Sequence, residues 1–409
     1  MSDPALLDPP AARRADPVPP PPPRRALPRW ALALGPLVLV AALVTLFMTA
    51  GPIGVFQQAF PPVEELTIHR VALPRTGMME VDVVNGGPAP VTVAQVFVDD
   101  ASWVHSMDGP RTIGRLETRR LEVPYPWVEG EPHTVTVVTS TGLTFSRTVD
   151  VAVQTPRADA RYLSTFALLG IYAGVIPVLI GLLWLPFLRG LDRRWLDFFL
   201  AFTVGLLVFL GADALFESFE IAGLVPGAFQ GTSLVLLGLV GTPLLLAGIG
   251  ALRPRTGGER SPLYLAGLIA LGIGLHNLGE GLAIGTSYAS GEIALGTFLV
   301  VGFLLHNTTE GLGIVAPLGQ ARPTILQLLG LGALAGLPTV LGAWIGGFTY
   351  SPVWTTLFFA IGAGAIAQVV FEILKLFRRR PEGVITPLNV AGMLLGMILM
   401  YVTGVMIPA

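Results

Sequence analysis

Eight long apolar runs dominate the second part of this chain, and a stretch that alternates instead of running apolar lies before them. From Arg161 onward the runs fall at about 162–188, 196–221, 229–252, 262–288, 293–318, 323–348, 354–377 and 386–407. Each is close to or above the ~20 residues that a helix needs to cross a hydrocarbon core. A further run, residues 30–50 (WALALGPLVLVAALVTLFMTA), precedes them. It is longer than a signal-peptide h-region and shows no clear small-residue cleavage site. A retained transmembrane helix (or uncleaved signal anchor) is therefore expected, with a cleaved signal as the rival reading. Residues 1–29 are rich in Pro, Ala and Arg, with five consecutive prolines at 19–23. They can bury no core, and a disordered tail is expected.

Residues 62–154 change period. Alternating, β-branched segments at Glu80–Val84, Val91–Val98, Thr134–Ser140 and Leu143–Val153 predict strands. Asn85–Gly86–Gly87 and Ser140–Thr141–Gly142 predict turns between them. A small β-sandwich follows, with an immunoglobulin-like label resting on pattern alone because there is no cysteine pair. His69, His105 and His133 lie in this segment and read as surface or loop histidines. The fold class is thus an all-α polytopic membrane protein of eight helices at residues 160–409. One transmembrane helix and a β-sandwich precede it.

Composition agrees. Of 409 residues, 52% are hydrophobic and only 13% charged, against about 25% charged in soluble proteins. The lipid bilayer is the implied surroundings. The net charge of −2 offers nothing to nucleic acid, and the absence of cysteine excludes disulfides, zinc ribbons, iron–sulfur clusters and thiol catalysis.

Charge is sorted by loop, and this orients the chain. Arg189, Arg193 and Arg194 follow the first of the eight spans; Arg253, Arg255 and Arg260 follow the third. Arg322 follows the fifth, and Lys375, Arg378, Arg379 and Arg380 close the seventh. The alternate loops near 222–228, 289–292 and 349–353 hold no Lys or Arg. The basic loops are expected in the cytoplasm. Arg13, Arg14, Arg24, Arg25 and Arg29 would hold the start of the N-terminal helix there too. The β-domain and the C-terminus then lie outside a cytoplasmic membrane.

Past the first turn of each span the acids are Asp213, Glu217, Glu220, Glu280, Glu310 and Glu372, and no Lys or Arg lies well within any span. A charge at a helix centre costs roughly 2.5–3.5 kcal/mol on an insertion scale. Protonated carboxyls, hydrogen-bonded contacts between helices and a site for a mobile cation are the three options. The last is favoured by two near-copies of one motif, HNLGEG at His276–Gly281 and HNTTEG at His306–Gly311.

In each motif the His and Glu are four apart and share a helix face. His276 lies 14 residues into one span and His306 lies 13 into the next, antiparallel one. At ~1.5 Å per residue both fall about 20 Å along their helices, at one depth. Imidazole with carboxylate suits Zn²⁺, Fe²⁺, Mn²⁺ or Cd²⁺. The lack of Cys or Met there argues against Cu⁺. Asp213 with Glu217, and Gln368 with Glu372, are further i,i+4 pairs that would line the same path or join helices. Imidazole binds metal only when neutral, so uptake is expected to fall below about pH 6.

Eight spans with HNxxEG on the fourth and fifth resemble the ZIP (Zrt/Irt-like) family of divalent metal transporters, in its bacterial branch. LHNLGEGLAIG and HNTTEGLGIVAPL are similar to its fourth- and fifth-helix signatures. LGADALFESFE and GAIAQVVFEIL are similar to its second- and seventh-helix segments. The resemblance implies that His276, Asn277, Glu280, His306, Asn307 and Glu310 bind a divalent metal as substrate, zinc above all. It implies Glu372 as a contributor from the seventh helix, Asp213 and Glu217 as a relay, and inward transport by alternating access. Where the family often has proline before the motif glutamate, this chain has Gly279 and Thr309. Where bacterial relatives have Glu-Pro in the sixth helix, it has Leu337–Pro338. One primary metal site is therefore expected rather than two. An intramembrane metallo-hydrolase, with Glu280 or Glu310 as base, is one rival. A metal sensor or assembly protein that has lost transport is the other. The β-domain is left to face an unidentified partner, a second protomer in a homodimer, or solvent alone.

Overall fold

The computed structural model describes residues 29–50, 63–155, 159–251, 261–290, 293–349 and 351–405. The expected disordered tail at 1–29 lies, but for Arg29, outside the described residues, as do the arginines at 253, 255 and 260. The chain forms two units that meet between Pro62 and Val63. Among its described residues the first holds the helix Arg29–Ala50, about 33 Å long at 1.5 Å per residue. Its described side chains from Leu34 to Leu46 are exposed.

The second unit opens with a β-domain of two antiparallel sheets. One has the order β1–β2–β7–β5 and the other β4–β3–β8–β9, with β6 beside β3. β1 is Leu66–Arg75, β2 Met78–Asn85, β3 Val91–Val98, β4 Ala101–Trp103, β5 Ser106–Met107, β6 Thr112–Ile113, β7 Thr118–Val123, β8 His133–Thr139 and β9 Thr144–Val149. Alternate residues of the main strands point inward: Val91, Val93, Val96, Val98, Val135 and Val137 are fully buried between the sheets with Leu121 and Trp127. Gly142 sits at φ +91°, which is why glycine closes the β8–β9 turn. One expectation is corrected. His133 is not a surface histidine: it is buried on β8, with Nδ1 2.7 Å from Asp99 Oδ2 and Nε2 accepting from the Val128 N–H. His69 is likewise a strand residue, on β1.

Among the described residues, eight helices long and apolar enough to cross a membrane follow, at Ala160–Arg189, Arg193–Ala222, Gly227–Ile249, Pro262–Ala289, Gly296–Leu318, Ile325–Phe348, Pro352–Arg378 and Pro387–Val405. Polar residues at the ends fix where they begin. Asp159 accepts from the Tyr162 N–H, and Asp192 from the N–H groups of Arg194 and Trp195, each satisfying donors that a first turn leaves unpaired. Pro352 starts the seventh span at a position where its missing N–H is no loss.

The spans pack as two groups. The fourth lies along the sixth, and the first along the fifth and sixth. The second lies along the eighth, and the seventh along the second and third. The seventh also packs on the fourth and joins the groups. The β-domain sits at one end of this bundle. Glu65 Oε1 accepts from the Gly227 N–H at 2.6 Å, at the start of the third span, and Arg70 donates to the Phe348 carbonyl at 3.2 Å, at the end of the sixth.

Candidate metal centre

The first span is not a uniform helix. Its α-helix Ala160–Gly170 passes into a π-turn at Ile171–Val175 before helix resumes at Ile176. Pro177 has no N–H, so the carbonyl four residues earlier, Ala173, loses its helical donor. That carbonyl accepts instead from Asn307 Nδ2 at 2.9 Å. On the other side Pro338 lies inside the sixth span, where it frees the carbonyl of Leu334. One residue beyond the carbonyl it frees, Ala335 accepts from Asn277 Nδ2 at 3.2 Å. Each motif asparagine is thus tied to backbone in a turn loosened by a proline. Neither tie is visible in the HNxxEG pattern, although Pro177 and Pro338 are the signals that could have pointed to it.

The same amide nitrogens cross to the other motif. Asn307 Nδ2 donates to Glu280 Oε2 at 2.9 Å, and Asn277 Nδ2 to Glu310 Oε2 at 3.3 Å. The fourth and fifth spans are thereby stitched together at one depth. His276 Nε2 is 3.3 Å from Glu280 Oε1, and His306 Nε2 hydrogen-bonds the same oxygen. Ligand atoms of His276, Glu280, His306 and Glu310 all lie within 4.8 Å of one another, and all four residues are buried. His276 Nδ1, Asn277 Oδ1, Asn307 Oδ1 and Glu310 Oε1 are buried without a hydrogen-bond partner. Buried polar atoms are normally paired. Unpaired acceptor atoms on residues of both motifs, beside two imidazoles and two carboxylates whose ligand atoms converge, are the chemistry of a divalent cation site.

The motif glycines explain how the helices come this close. A Cβ on Gly281 would lie 2.1 Å from the Thr339 carbonyl oxygen, and one on Gly311 2.3 Å from that of Val178. Only glycine lets the fourth span seat on the sixth, and the fifth on the first. At Gly279 and Thr309, which precede the motif glutamates, both helices continue as α-helix. Gly279 faces the Phe359 ring, and the Thr309 hydroxyl donates to the His306 carbonyl.

A cavity of about 850 Å³ runs from the β-domain to the cluster, where His276, Glu280 and His306 line it. Asp213 and Glu217 line it too. Glu372 and Gln368 lie elsewhere. Glu372 lines a separate cavity of about 410 Å³ with Arg193, Lys375, Arg379 and Arg380. Gln368 Nε2 and Lys375 Nζ stand 3.4 and 3.5 Å from Glu372 Oε1. The expectation that no span carboxylate has a basic partner is therefore corrected at Glu372: Lys375, one turn on, supplies one. Ile269, Ile273, Ile366 and Val369, all buried, belong to the apolar core of this part of the bundle.

No curated protein is found to match the chain. A family model does match, over residues 258–404, which hold the fourth to eighth spans and leave the first three spans and the β-domain outside. Members of that family are transporters rather than enzymes. Together with the four-residue cluster the match supports divalent metal transport in general terms. The description that the matching model carries is ZIP Zinc transporter.

Proposed function

We propose that the chain carries a divalent metal ion, zinc first among the candidates, across a cytoplasmic membrane toward the cytoplasm by alternating access. The observation that carries this reading is the buried His276–Glu280–His306–Glu310 cluster at the end of a long cavity lined by acids. A hydrated ion would move past Asp213 and Glu217 and exchange waters for imidazole and carboxylate at mid-membrane. Asn277 and Asn307 would hold the two carboxylates in place or turn their free oxygens to the ion. On rearrangement of the two helix groups the ion would leave past Glu372 and Gln368 into the cavity edged by Arg379 and Arg380. The direction follows from loop charge, since arginines gather at that end while the loops at the β-domain end lack them. The Arg29–Ala50 helix would be a further membrane crossing that delivers the β-domain to the outer side.

Binding has to be moderate for release. The fourth and fifth spans lie in one helix group, so that group would carry the four-ligand cluster whole as it moves against the other. Uptake of Zn²⁺, Fe²⁺, Mn²⁺ and Cd²⁺ into proteoliposomes tests the reading, comparing the unaltered protein with His276→Ala and Glu310→Ala. Saturable uptake that both substitutions abolish is expected. Uptake that survives both would move the site elsewhere.

A further inference from the structure

The β-domain is attached to both helix groups, and the two attachments differ in kind. To the group that carries the metal cluster it is tied twice. Thr155 closes the domain onto β1: its N–H donates to the Leu73 carbonyl and its hydroxyl accepts from the Leu73 N–H. Four residues later Asp159 caps the first span, and four residues reach at most about 14 Å. Arg70 adds its hydrogen bond to the Phe348 carbonyl at the end of the sixth span. To the other group the domain is held by a clip. Gly227, at the start of the third span, donates its N–H to Glu65 Oε1 at 2.6 Å. Both carboxylate oxygens of Glu65 lie 3.1 Å from where a Cβ on Gly227 would stand, and Oε1 lies 2.9 Å from that of Gly86, between β2 and β3. The carboxylate is seated between two glycines, one from each side of the contact.

The clip spans the softer boundary of the bundle. Inside the cluster-carrying group, backbone meets backbone at Gly281 and Gly311. Inside the other group it does so again: a Cβ on Gly205 would lie 2.0 Å from the Met393 carbonyl oxygen, and one on Gly396 2.3 Å from that of Phe202. Across the boundary, a Cβ on Gly272 or Gly313 would first meet a side chain, Val369 or Thr203, at 3.0 Å. Side chains can change rotamer where interlocked backbones cannot, so packed helices shift at such a boundary rather than within the groups. In the present arrangement the large cavity joins the β-domain end to the cluster, while the cavity beside Glu372 is lined by none of the four cluster residues.

We infer that the β-domain is a strap across this boundary, hinged on the group that carries the cluster and clipped to the other group by Glu65 on Gly227. Closed, the clip holds the arrangement in which the cluster faces the β-domain end. The short link to the first span and the Arg70 bond to the sixth carry the domain with its own group. Movement of the groups past one another therefore pulls the Glu65 carboxylate off the Gly227 N–H. The strap sets how often the groups part, and with it how often a bound ion can pass. That consequence rests on the transport reading; the strap as a conformational latch does not.

The chain has no cysteine, so Ser164→Cys on the first span and Thr232→Cys on the third, both exposed positions, can carry the only spin labels. Distances between them are measured by double electron–electron resonance on the full-length protein in lipid nanodiscs, without added metal. Glu65→Ala should raise the population of a second distance about tenfold relative to the first, the scale of losing a hydrogen bond to a charged group. Gly227→Pro removes the same bond from the bundle side and should act alike. Pro226 before it is already extended, at φ −51° and ψ 138°, as a residue preceding proline must be. The two substitutions together should shift the distances no further than either alone, because they break one bond. Arg120→Ala breaks an ion pair with Asp82 inside the β-domain and leaves the clip whole, so the distances should stay as they were. Unmoved distances in Glu65→Ala and in a folded Gly227→Pro overturn the inference, as does an equal shift in Arg120→Ala. Zinc uptake by the unaltered protein in proteoliposomes is read alongside. If it is absent while Glu65→Ala moves the distances, the transport reading falls and the strap stands. If it is present while neither clip variant moves them, the strap alone falls.

Discussion

Glu280 and Glu310 close two motifs of the same pattern, yet their surroundings differ. Glu280 Oε1 meets both His276 and His306, and its Oε2 accepts from Asn307. Glu310 Oε2 accepts only from Asn277, at 3.3 Å, and its Oε1 is buried with no partner. Both histidines converge on one carboxylate, which ties the fourth and fifth spans together. The other carboxylate is the open side, where an ion finds a ligand that costs no existing bond. Near-copies in sequence thus divide into a keystone and a receiver. Replacing each by its amide separates the two duties. Glu280→Gln removes a ligand and also unbinds two imidazoles, and zinc uptake should fall by about 100-fold or more. Glu310→Gln removes a ligand alone and should cost about tenfold, the lower part of the range seen when metal sites lose partners. Equal losses in initial uptake rate would erase the distinction.

The asymmetry should stop at the carboxylates. Gly281 and Gly311 end the two motifs and make the same kind of contact, each facing a carbonyl oxygen of the neighbouring span at 2.1 and 2.3 Å from an added Cβ. Gly281→Ala and Gly311→Ala should therefore destabilise alike, by about 1–3 kcal/mol each, the scale of overpacking a filled site. Thermal melting in detergent measures this. Gly267, in the fourth span but with nothing within 4 Å of an added Cβ, provides the contrast. Gly267→Ala should be neutral or gain up to about 1 kcal/mol of helix propensity. Unequal melting losses at 281 and 311 would carry the asymmetry into helix packing.

Much of this was legible along the chain because membrane spans announce themselves by length alone. The eight expected runs and the eight helices differ by a few residues at their ends. The His/Glu pairs were legible because i,i+4 spacing fixes a shared face whatever the tertiary structure does. Strand β8 was legible by strict alternation, and β3 by its density of β-branched residues, although a register shift between Val93 and Gln95 changes its phase. β1 was not, since the bulge at His69 breaks the period-two pattern and reads as irregular polar sequence. The π-turn at Ile171–Val175 was hidden as well, because every residue in it is as apolar as a helix would want. Spacing could pair Gln368 with Glu372, but it could not say that their common face turns toward Lys375 rather than toward the cluster.

Glu372 extends the comparison to a third carboxylate, one that already has a cation. Its Oε1 lies 3.5 Å from Lys375 Nζ, with the lysine side chain 45% exposed. Such a pair is worth about 1 kcal/mol at most, so Glu372→Gln should change zinc uptake by no more than about fivefold. A fall as deep as that of Glu280→Gln would place Glu372 on the ion's path as an essential ligand.

The β-domain holds a histidine–carboxylate pair that serves the fold instead, and it supplies the mildest contrast. His133 Nδ1 lies 2.7 Å from Asp99 Oδ2, which also accepts from the Tyr125 hydroxyl, while Asp99 Oδ1 accepts from the Thr134 N–H. Burial pulls the Asp99 pKa upward, but the hydrogen bonds from Tyr125, Thr134 and His133 outweigh it, so the net shift is downward from 3.8. A carboxylate whose folded pKa is depressed adds stability above its unfolded pKa and loses it as pH falls through the folded value. The contribution should therefore be complete at neutral pH and fade in acid below about 3.8, the ordinary aspartate value. Asp99 sits at φ +50°, a conformation asparagine tolerates. Asp99→Asn should lower the melting temperature modestly at pH 7 and flatten its acid dependence, while zinc uptake stays unchanged. Lost uptake with an intact melting profile would make this pair, like the one in the bundle, part of the metal path.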